Sequence, residues 1–430
     1  MLEKFKHHLI DVFPSWPKSK LVLACSGGLD SMVLAHLLLA SKADFDLVHC
    51  NFKLRGEASD EDEAFVKKWA KDQGKKVYTR SFDLSDTSGS IQLKARLIRY
   101  QWFFELMAEY KYEYLVTAHH LNDSLETFLI NLSRGTGIEG LTGIPENTNK
   151  VVRPLLPFSR REILEYAQQH QISWREDASN SDVKYLRNKI RHRIIPELET
   201  LHPTFYANFL KTQAYLEHSA QLLEAYKGIL QKELFHQEGE AIHIAIEQLS
   251  KLHPKAGYFY LLFREYGFPF WKDIEALMGA ASGKELCSAT HRLIKDRDAL
   301  LLVAVQEEKE AFFFLFEAQK DVKNPINLQI ETVSTLGPFA KNTLYVDKEK
   351  LNYPLKIRKW KIGDYFYPLG MKGRKKIAKF FKDEKYNTVA KEAQWLLCSG
   401  DKVVWIIGKR ADERFKVSAT STEIVKITVI

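Results

Sequence analysis

The stretch "LVLACSGGLDSMVLAHLL", residues 21–38, sets an apolar run, two glycines, an aspartate and a serine, and a second apolar run end to end. The first run, residues 20–25, is short and apolar enough for a buried strand, and the second, residues 31–41, has the length of a helix. Gly27 and Gly28 stand at the junction. Two glycines there lose backbone entropy for nothing unless a turn needs angles closed to other residues, or a ligand must approach the N–H groups closely. The helix behind them adds its positive amino end, and Ser26 and Ser31 add hydroxyl donors. Ser26-Gly27-Gly28-Leu29-Asp30-Ser31 therefore reads as a concave nest of donors for a phosphate group. Asp30 is out of place in an anion site unless a magnesium ion lies between it and the phosphates. No lysine follows, so this is not the GxxxxGK[ST] loop.

The surrounding chain has a matching rhythm. Strands are expected over residues 45–50, 76–81 and 112–117, with helices over 59–73, 91–110 and 122–133. The helix at 59–73 carries acids in its first turn and Lys67, Lys68 and Lys71 towards its end, as its dipole favours. Strand–helix alternation at this spacing predicts an α/β fold with a parallel sheet covered by helices on both faces. Ligands in such sheets sit beyond the carboxyl ends of the strands, where the strand order reverses.

From residue 151 the texture changes. "RPLLPFSRREILEYAQQH" reads as an extended stretch and then a helix capped by Ser159, and "EDASNSDVKYLRNKIRHRIIPEL" as a loop followed by a basic helix ending near Pro196. Residues 202–233 are predominantly one long helix. Residues 240–305 are mixed, with helices near 258–266 and 271–280 and a late strand at 299–305. Strands resume at 308–316, and the remainder is β-rich with one or two helices. No internal repeat is present.

At 430 residues the chain exceeds one ordinary core, and a prior of about 150 residues per domain gives two to four domains. Its 45% apolar and 12% aromatic residues suffice for several cores. No uninterrupted apolar segment approaches the ~18–20 residues of a membrane span, and "MLEKFKHHLIDVF" mixes charge with apolar residues as an amphipathic helix does, unlike a signal peptide. The cytoplasm is the default location. The four cysteines, Cys25, Cys50, Cys287 and Cys398, form no CxxC pair and are expected to be buried, reduced thiols.

The net charge of +8 suggests a polyanionic partner, and its distribution says more. Between Lys356 and Lys382 there are ten Lys/Arg against one acid, Asp364, interleaved with Trp360, Tyr365, Phe366, Tyr367, Phe380 and Phe381. Cations bind phosphates and aromatic rings stack on bases. The alternative is a solvated basic face over an aromatic core.

The S-G-G-x-D-S order after an apolar strand resembles the pyrophosphate (PP) loop of the ATP pyrophosphatases. With it come "HCNFKLRG" (residues 49–56), "TAHHLNDSLETFLINLSRGTGIEGLTGI", "RPLL" from Arg153, and "DASNSDVKYLRNKIRHRIIP" (residues 177–196). Together these resemble the tRNA(Ile)-lysidine synthases, strongly over about residues 20–200, weakly through "SGKELCSATHRLIKDRDALLLV", and again in the basic aromatic stretch and "VVWIIGKRADERFKV". Two departures stand out. Phe52 occupies the place of the second histidine of an H-x-N-H pattern, and Asn122 stands where an acid is common.

The resemblance implies an N-terminal PP-loop ATPase domain, resembling the adenine nucleotide alpha hydrolases, over residues 1–205. A helical/mixed tRNA-contacting domain at 206–310, a linker at 311–345 and a small β-rich tRNA-binding domain at 346–430 would follow. It implies a ligase that adenylates the wobble cytidine of a CAU-anticodon tRNA(Ile) and then attaches free L-lysine, with ATP as co-substrate and Mg2+, no membrane partner, and a homodimer allowed. Asp30, His119 and Asp123 are the implied catalytic residues, with Asp30 on the magnesium and Ser26–Ser31 around ATP. Glu126, Arg187, Arg191, Lys375, Lys376 and Lys379 are the implied substrate and tRNA contacts. Arg187 and Arg191, four apart, share a helix face and would clamp phosphate. Asp123 or Glu126 would hold the lysine ammonium. A related tRNA thiolase would need a reactive cysteine pair or an iron–sulfur cluster. An ammonia-using synthetase would usually need an ammonia source, and no N-terminal glutaminase segment is seen. A non-catalytic ATP-sensing RNA-binding protein would leave the co-occurrence of Asp30, His119 and Asp123 unexplained.

Overall fold

Leu21, Leu23 and Val22 alternate along the first strand, yet all three are buried. A strand apolar on both faces belongs in the middle of a covered parallel sheet, and that is where the structure puts it. The structure is a computed structural model and describes residues 1–53, 56–82, 91–176, 186–305 and 312–430. Leu54 and Arg55 of the second block, and residues 177–185 ahead of the basic helix, lie outside the described residues.

The chain forms two compact units, Met1–Glu224 and Ala225–Ile430. The first opens with α1 (Leu2–Val12), β1 (Leu21–Ala24), α2 (Leu29–Ala40), β2 (Phe45–Asn51), α3 (Glu57–Asp72), β3 (Val77–Ser81), α4 (Ile91–Tyr110), β4 (Tyr114–Val116) and α5 (Leu121–Arg134). It continues with α6 (Ile138–Leu141), β5 (Asn147–Thr148), β6 (Val151–Val152), α7 (Arg160–Gln169), α8 (Leu186–Lys189) and α9 (Ile195–Thr200). A long helix, α10, runs over Phe205–Leu234.

The sheet order is β3-β2-β1-β4-β6-β5. Strands β3, β2, β1, β4 and β6 are parallel, and β5 is an antiparallel edge. Chain order runs outward to β3 on one side of β1 and resumes at β4 on the other, so the order reverses between β1 and β4. Leu21, Leu23, Phe45, Leu47, Val116 and Val152 pack on one face with α1, α2 and α7. Val22, Val48, Leu115 and Val151 pack on the other against Trp102, Phe103, Leu106 and Met107 of α4. Helix α2 is apolar nearly all round and buried accordingly.

Two boundaries differ from the sequence reading in a way that bears on the site. Helix α2 starts at Leu29 rather than Ser31, because Gly28 has extended backbone (φ −77°, ψ 167°) and serves as N-cap; Asp30 and Ser31 thus lie in its first turn. The basic helix does not end near Pro196. A π-turn over Ile190–Ile194 intervenes, and Pro196 falls in the first turn of α9, where its missing N–H costs nothing. The cap expected at Ser159 is present: its hydroxyl accepts from Glu162 N–H while the Glu162 carboxylate accepts from Ser159 N–H.

The second unit contains a five-stranded antiparallel sheet, β7 (Phe235–Glu238), β8 (Ala241–Ala245), β11 (Ala299–Ala304), β10 (His291–Asp296) and β9 (Glu285–Cys287) in spatial order. It packs with helices Lys255–Phe263 and Trp271–Met278. Further antiparallel sheets lie between residues 312 and 429. Strands Phe312–Leu315 and Leu328–Val333, inside the stretch expected as a linker, pair with Leu355–Lys359 and Ile424–Val429 respectively. Among the described residues no helix is long and apolar enough to cross a membrane. Cys25 and Cys398 are buried as expected, but Cys50 is half-buried and Cys287 exposed.

Leu23, 0% exposed at the centre of the sheet, is expected to cost about 2–5 kcal/mol on truncation to alanine. Urea unfolding of the Leu23→Ala variant measures this; a loss below about 1 kcal/mol would contradict the central placement of β1.

Candidate active site between two parallel strands

The turn after β1 is held from three sides. Cys25 N–H bonds the Val48 carbonyl, and His49 Nδ1 donates to the Cys25 carbonyl at 2.8 Å. Gly27 takes φ +85°, and a Cβ there would stand 3.3 Å from Val66 of α3, so only glycine fits both the angle and the space. The Gly27 carbonyl accepts from Arg175 N–H, and the Arg175 guanidinium in turn grips Asp62 and Glu61 of α3. The first α2 hydrogen bond runs from Met32 N–H to Gly28 C=O. The amides of Leu29, Asp30 and Ser31 thus stand ahead of the ladder at the positive end of the helix. Ser31 Oγ donates to the Gly28 carbonyl at 2.9 Å and lies 3.3 Å from Ser26 Oγ, which also accepts from Gly28 N–H. Ser26 is exposed and Ser31 buried.

Across the strand-order reversal, the chain leaves β4 through Thr117, His119 and His120 into α5. His119 Nδ1 pairs with Thr117 Oγ1 at 3.0 Å. Burial, with the positive fields of Arg153, Arg187 and Arg96 and against that of Asp123, pushes the His119 imidazole down to about 4. His120, which sequence reasoning does not separate from its neighbour as a site residue, is the deeper of the two. Its Nε2 lies 3.5 Å from Asp123 Oδ2 and 3.8 Å from Asp30 Oδ1, so it joins the two halves of the site.

Asp123 and Glu126 form a second layer with Arg187 and Arg191. Each arginine sends Nε to Glu126 and Nη2 to Asp123. Glu126 is 0% exposed and both its oxygens are taken. Asp123, 14% exposed, also accepts from His120 N–H through Oδ2. Burial pushes the Asp123 carboxyl up, but His120, Arg187 and that N–H outweigh it and hold it below the ordinary value. Burial opposes the charge of Arg191, and its bond to Glu126 with the nearby carboxylates of Asp123 and Asp30 outweighs it. The sequence-predicted residues Ser26–Ser31, His119, Asp123, Glu126, Arg187 and Arg191 thus converge, although the arginines face carboxylates here rather than standing as free cations.

Sequence reasoning missed Arg160, whose guanidinium bonds Asp30. Nothing local marks a contact 130 residues apart. The Arg153 guanidinium is buried and donates to the Pro145 carbonyl and Thr148 Oγ1, so the "RPLL" block shapes the strand end. Asn122, the departure noted above, accepts from Arg160 N–H while its amide donates to Tyr206 Oη. Phe52, in the place of the second histidine, stacks on Phe82 under the Arg99 guanidinium.

A magnesium ion fits this donor set. Asp30 Oδ1 is buried without a hydrogen-bond partner. Among the described residues no three His, Cys, Asp or Glu side chains converge as a metal cage.

In the second unit, Lys376 and Lys379 are exposed while Lys375 is bound to Asp383 at 2.7 Å. Phe366, Phe380 and Phe381 lie in a core with Trp360 packed against it, whereas Tyr365 is exposed and Tyr367 partly so, with Arg414 over both rings. The aromatic-core alternative therefore holds for Phe366, Phe380, Phe381 and Trp360, whereas Tyr365 and Tyr367 lie outside that core.

An amide nest at the amino end of α2, across a strand-order reversal from acidic and basic side chains, defines a PP-loop nucleotide-binding protein. Residues 1–198 match the PP-loop domain, 237–305 the TilS substrate binding domain and 355–427 the TilS substrate C-terminal domain. The chain is 36% identical to tRNA(Ile)-lysidine synthase of Parabacteroides distasonis, with 95% of each chain covered. It is 33% identical to that of Bacteroides thetaiotaomicron, with 96% of each covered. The enzyme of Porphyromonas gingivalis is 34% identical over 93% of this chain and 92% of its own. This chain belongs to the tRNA(Ile)-lysidine synthase family.

The depressed His119 value has a direct readout. Its imidazole is expected to stay neutral from pH 8 down through pH 5 and to charge only as pH falls towards about 4, followed by NMR of 15N-histidine-labelled protein. A midpoint near 6.5, the unperturbed value, would contradict the buried setting.

Proposed function

We propose that this chain makes lysidine at the wobble cytidine of a CAU-anticodon tRNA(Ile), using ATP and free L-lysine, in the cytoplasm. The observation that carries this reading is the joining of Asp30 in the PP loop to His120 and Asp123 across the β1–β4 reversal, in a chain related end to end to lysidine synthases. The base's 2-carbonyl oxygen attacks the α-phosphorus of ATP; that P–O bond forms, the α–β bridging bond breaks and pyrophosphate leaves. The lysine ε-amine then attacks carbon 2; the C–N bond forms and AMP departs with the oxygen.

The nest of Ser26, Gly27, Gly28, Leu29, Asp30 and Ser31 holds the departing pyrophosphate by amides and hydroxyls aimed where charge builds up. Mg2+, held by Asp30, would supply charge neutralisation at the phosphates. Thr117 can donate to His119 Nδ1, which leaves a neutral Nε2–H to donate to an α-phosphate oxygen. Free lysine has a pKa near 10.4, so only on the order of one molecule in a thousand is nucleophilic at neutral pH. Asp123, 14% exposed against 0% for Glu126, is the carboxylate placed to hold the ammonium and take its proton, sharing oxygens that already accept from Arg187, Arg191 and His120 N–H. Glu126 and Asp123 hold Arg187 and Arg191 in place, and contact with phosphate would require the two guanidiniums to share themselves between it and those carboxylates. The thiolase alternative has little to work with: burial pushes the Cys25 thiol up and the Cys50 thiol to about 12, so neither forms a ready thiolate.

Nucleosides from CAU-anticodon tRNA(Ile) incubated with the protein, ATP, Mg2+ and lysine are expected to contain lysidine by mass spectrometry. The Asp30→Asn variant should lose at least about 100-fold in rate; full-rate modification by that variant would remove Asp30 from the reaction. Neutralising Lys375, Lys376 and Lys379 is expected to raise the KM for tRNA. It should also flatten the log–log salt dependence by about 0.7–0.9 for each lysine–phosphate pair removed. ATP affinity should be unchanged, and Lys375, already paired with Asp383, should contribute least. Filter binding over a salt series with unaltered slope would refute the role.

A further inference from the structure

Arg160 lies outside the PP loop, yet its guanidinium Nη1 bonds Asp30 Oδ2. The other Asp30 oxygen is buried without a hydrogen-bond partner. The carboxylate expected to face a metal–polyphosphate is therefore occupied, on one side, by a cation. That cation is anchored at its base, while its tip, bonded to Asp30, stays half-exposed. Arg160 is the first residue of α7, whose start is locked by the Ser159–Glu162 box. Its N–H is bound by Asn122 Oδ1 at 2.9 Å, which ties it to the start of α5. Its side chain is 46% exposed. The half-exposed pair with Asp30 is worth little in water, whereas a guanidinium on phosphate makes two parallel, charge-assisted bonds. A polyphosphate entering the nest at the amino end of α2 brings several negative charges within reach of that tip, and the guanidinium gains by changing partners.

We propose that Arg160 is a further phosphate ligand of this site: it leaves Asp30 when ATP binds, frees that carboxylate, and grips the outer two phosphates, which it continues to hold as pyrophosphate. This rests on the reading that the loop holds the polyphosphate of ATP. The position is set by Asn122. A neutral amide both accepts from Arg160 N–H and donates to Tyr206 Oη, which a carboxylate could not do.

The test is isothermal titration of the full-length protein, wild type, Arg160→Gln and Arg160→Lys, with ATP, inorganic pyrophosphate and AMP in the presence of magnesium. Arg160→Gln is expected to weaken ATP and pyrophosphate about tenfold or more while AMP changes less than twofold, and Arg160→Lys should restore part of the loss as a point charge. Equal losses for AMP and pyrophosphate would overturn the proposal, because they would mean that Arg160 supports the loop's shape. No loss for any ligand would overturn it too, leaving a surface ion pair. Wild-type protein that bound neither ATP nor pyrophosphate would overturn the PP-loop reading together with it, whereas normal wild-type binding with an unaffected Arg160→Gln variant would sink this inference alone.

Discussion

The left-handed turn at Gly27 is the constraint on which the proposed nucleotide site depends. It lets the chain reverse from the carboxyl end of β1 into α2 while the turn packs against Val66. Any side chain there would strain the backbone and crowd the Val66 side chain. With the turn in place, three amides at the head of α2 point outward beyond the ladder. The carbonyl of Gly27 becomes an acceptor for Arg175, which brings in a segment from beyond α7. One residue's backbone angle thus sets where the amides point and which later part of the chain closes over them.

The second half of the site has a different logic. Asp123 and Glu126 sit one turn apart on α5, and two arginines cross-link them. Buried carboxylates without such partners would be costly. Glu126 in particular, with no exposure, makes sense as an internal counter-ion for the guanidiniums. The π-turn through Arg191 shifts the helical register of the basic segment where it meets α5, a known use of an extra residue per turn at functional sites.

Much of this is legible in the sequence, for a physical reason. The strand–helix alternation, the two-faced apolar strands, the glycine pair and the Ser159 cap are all encoded within a few residues of where they act. The sequence also says that a site lies beyond the strand ends, since ligands in parallel sheets gather where strand order reverses. What escapes it is non-local. Arg160 meets Asp30 across 130 residues, and no spacing rule anticipates that. The start of α2 reads two residues late because Leu29 and Asp30, directly after two glycines, look like part of the turn, although both suit a helix's first turn. Pro196 reads as a terminator because proline is barred from helix interiors, yet a helix's first turn accepts it. Of the aromatic residues between Trp360 and Phe381, composition does not separate those that build a core from those, such as Tyr365, left at the surface.

Helix α2 is enclosed nearly all round by the sheet and by α1 and α7, and a close-packed element of that kind does not slide. The amide cradle at its head is therefore a stationary receptor. Yet a reaction in two stages presents it first with a triphosphate and then with a separated diphosphate and nucleotidyl group. On the reading proposed above, accommodation between the stages falls to side chains at the edge of the cradle, such as the half-exposed Arg160, and not to the helix itself.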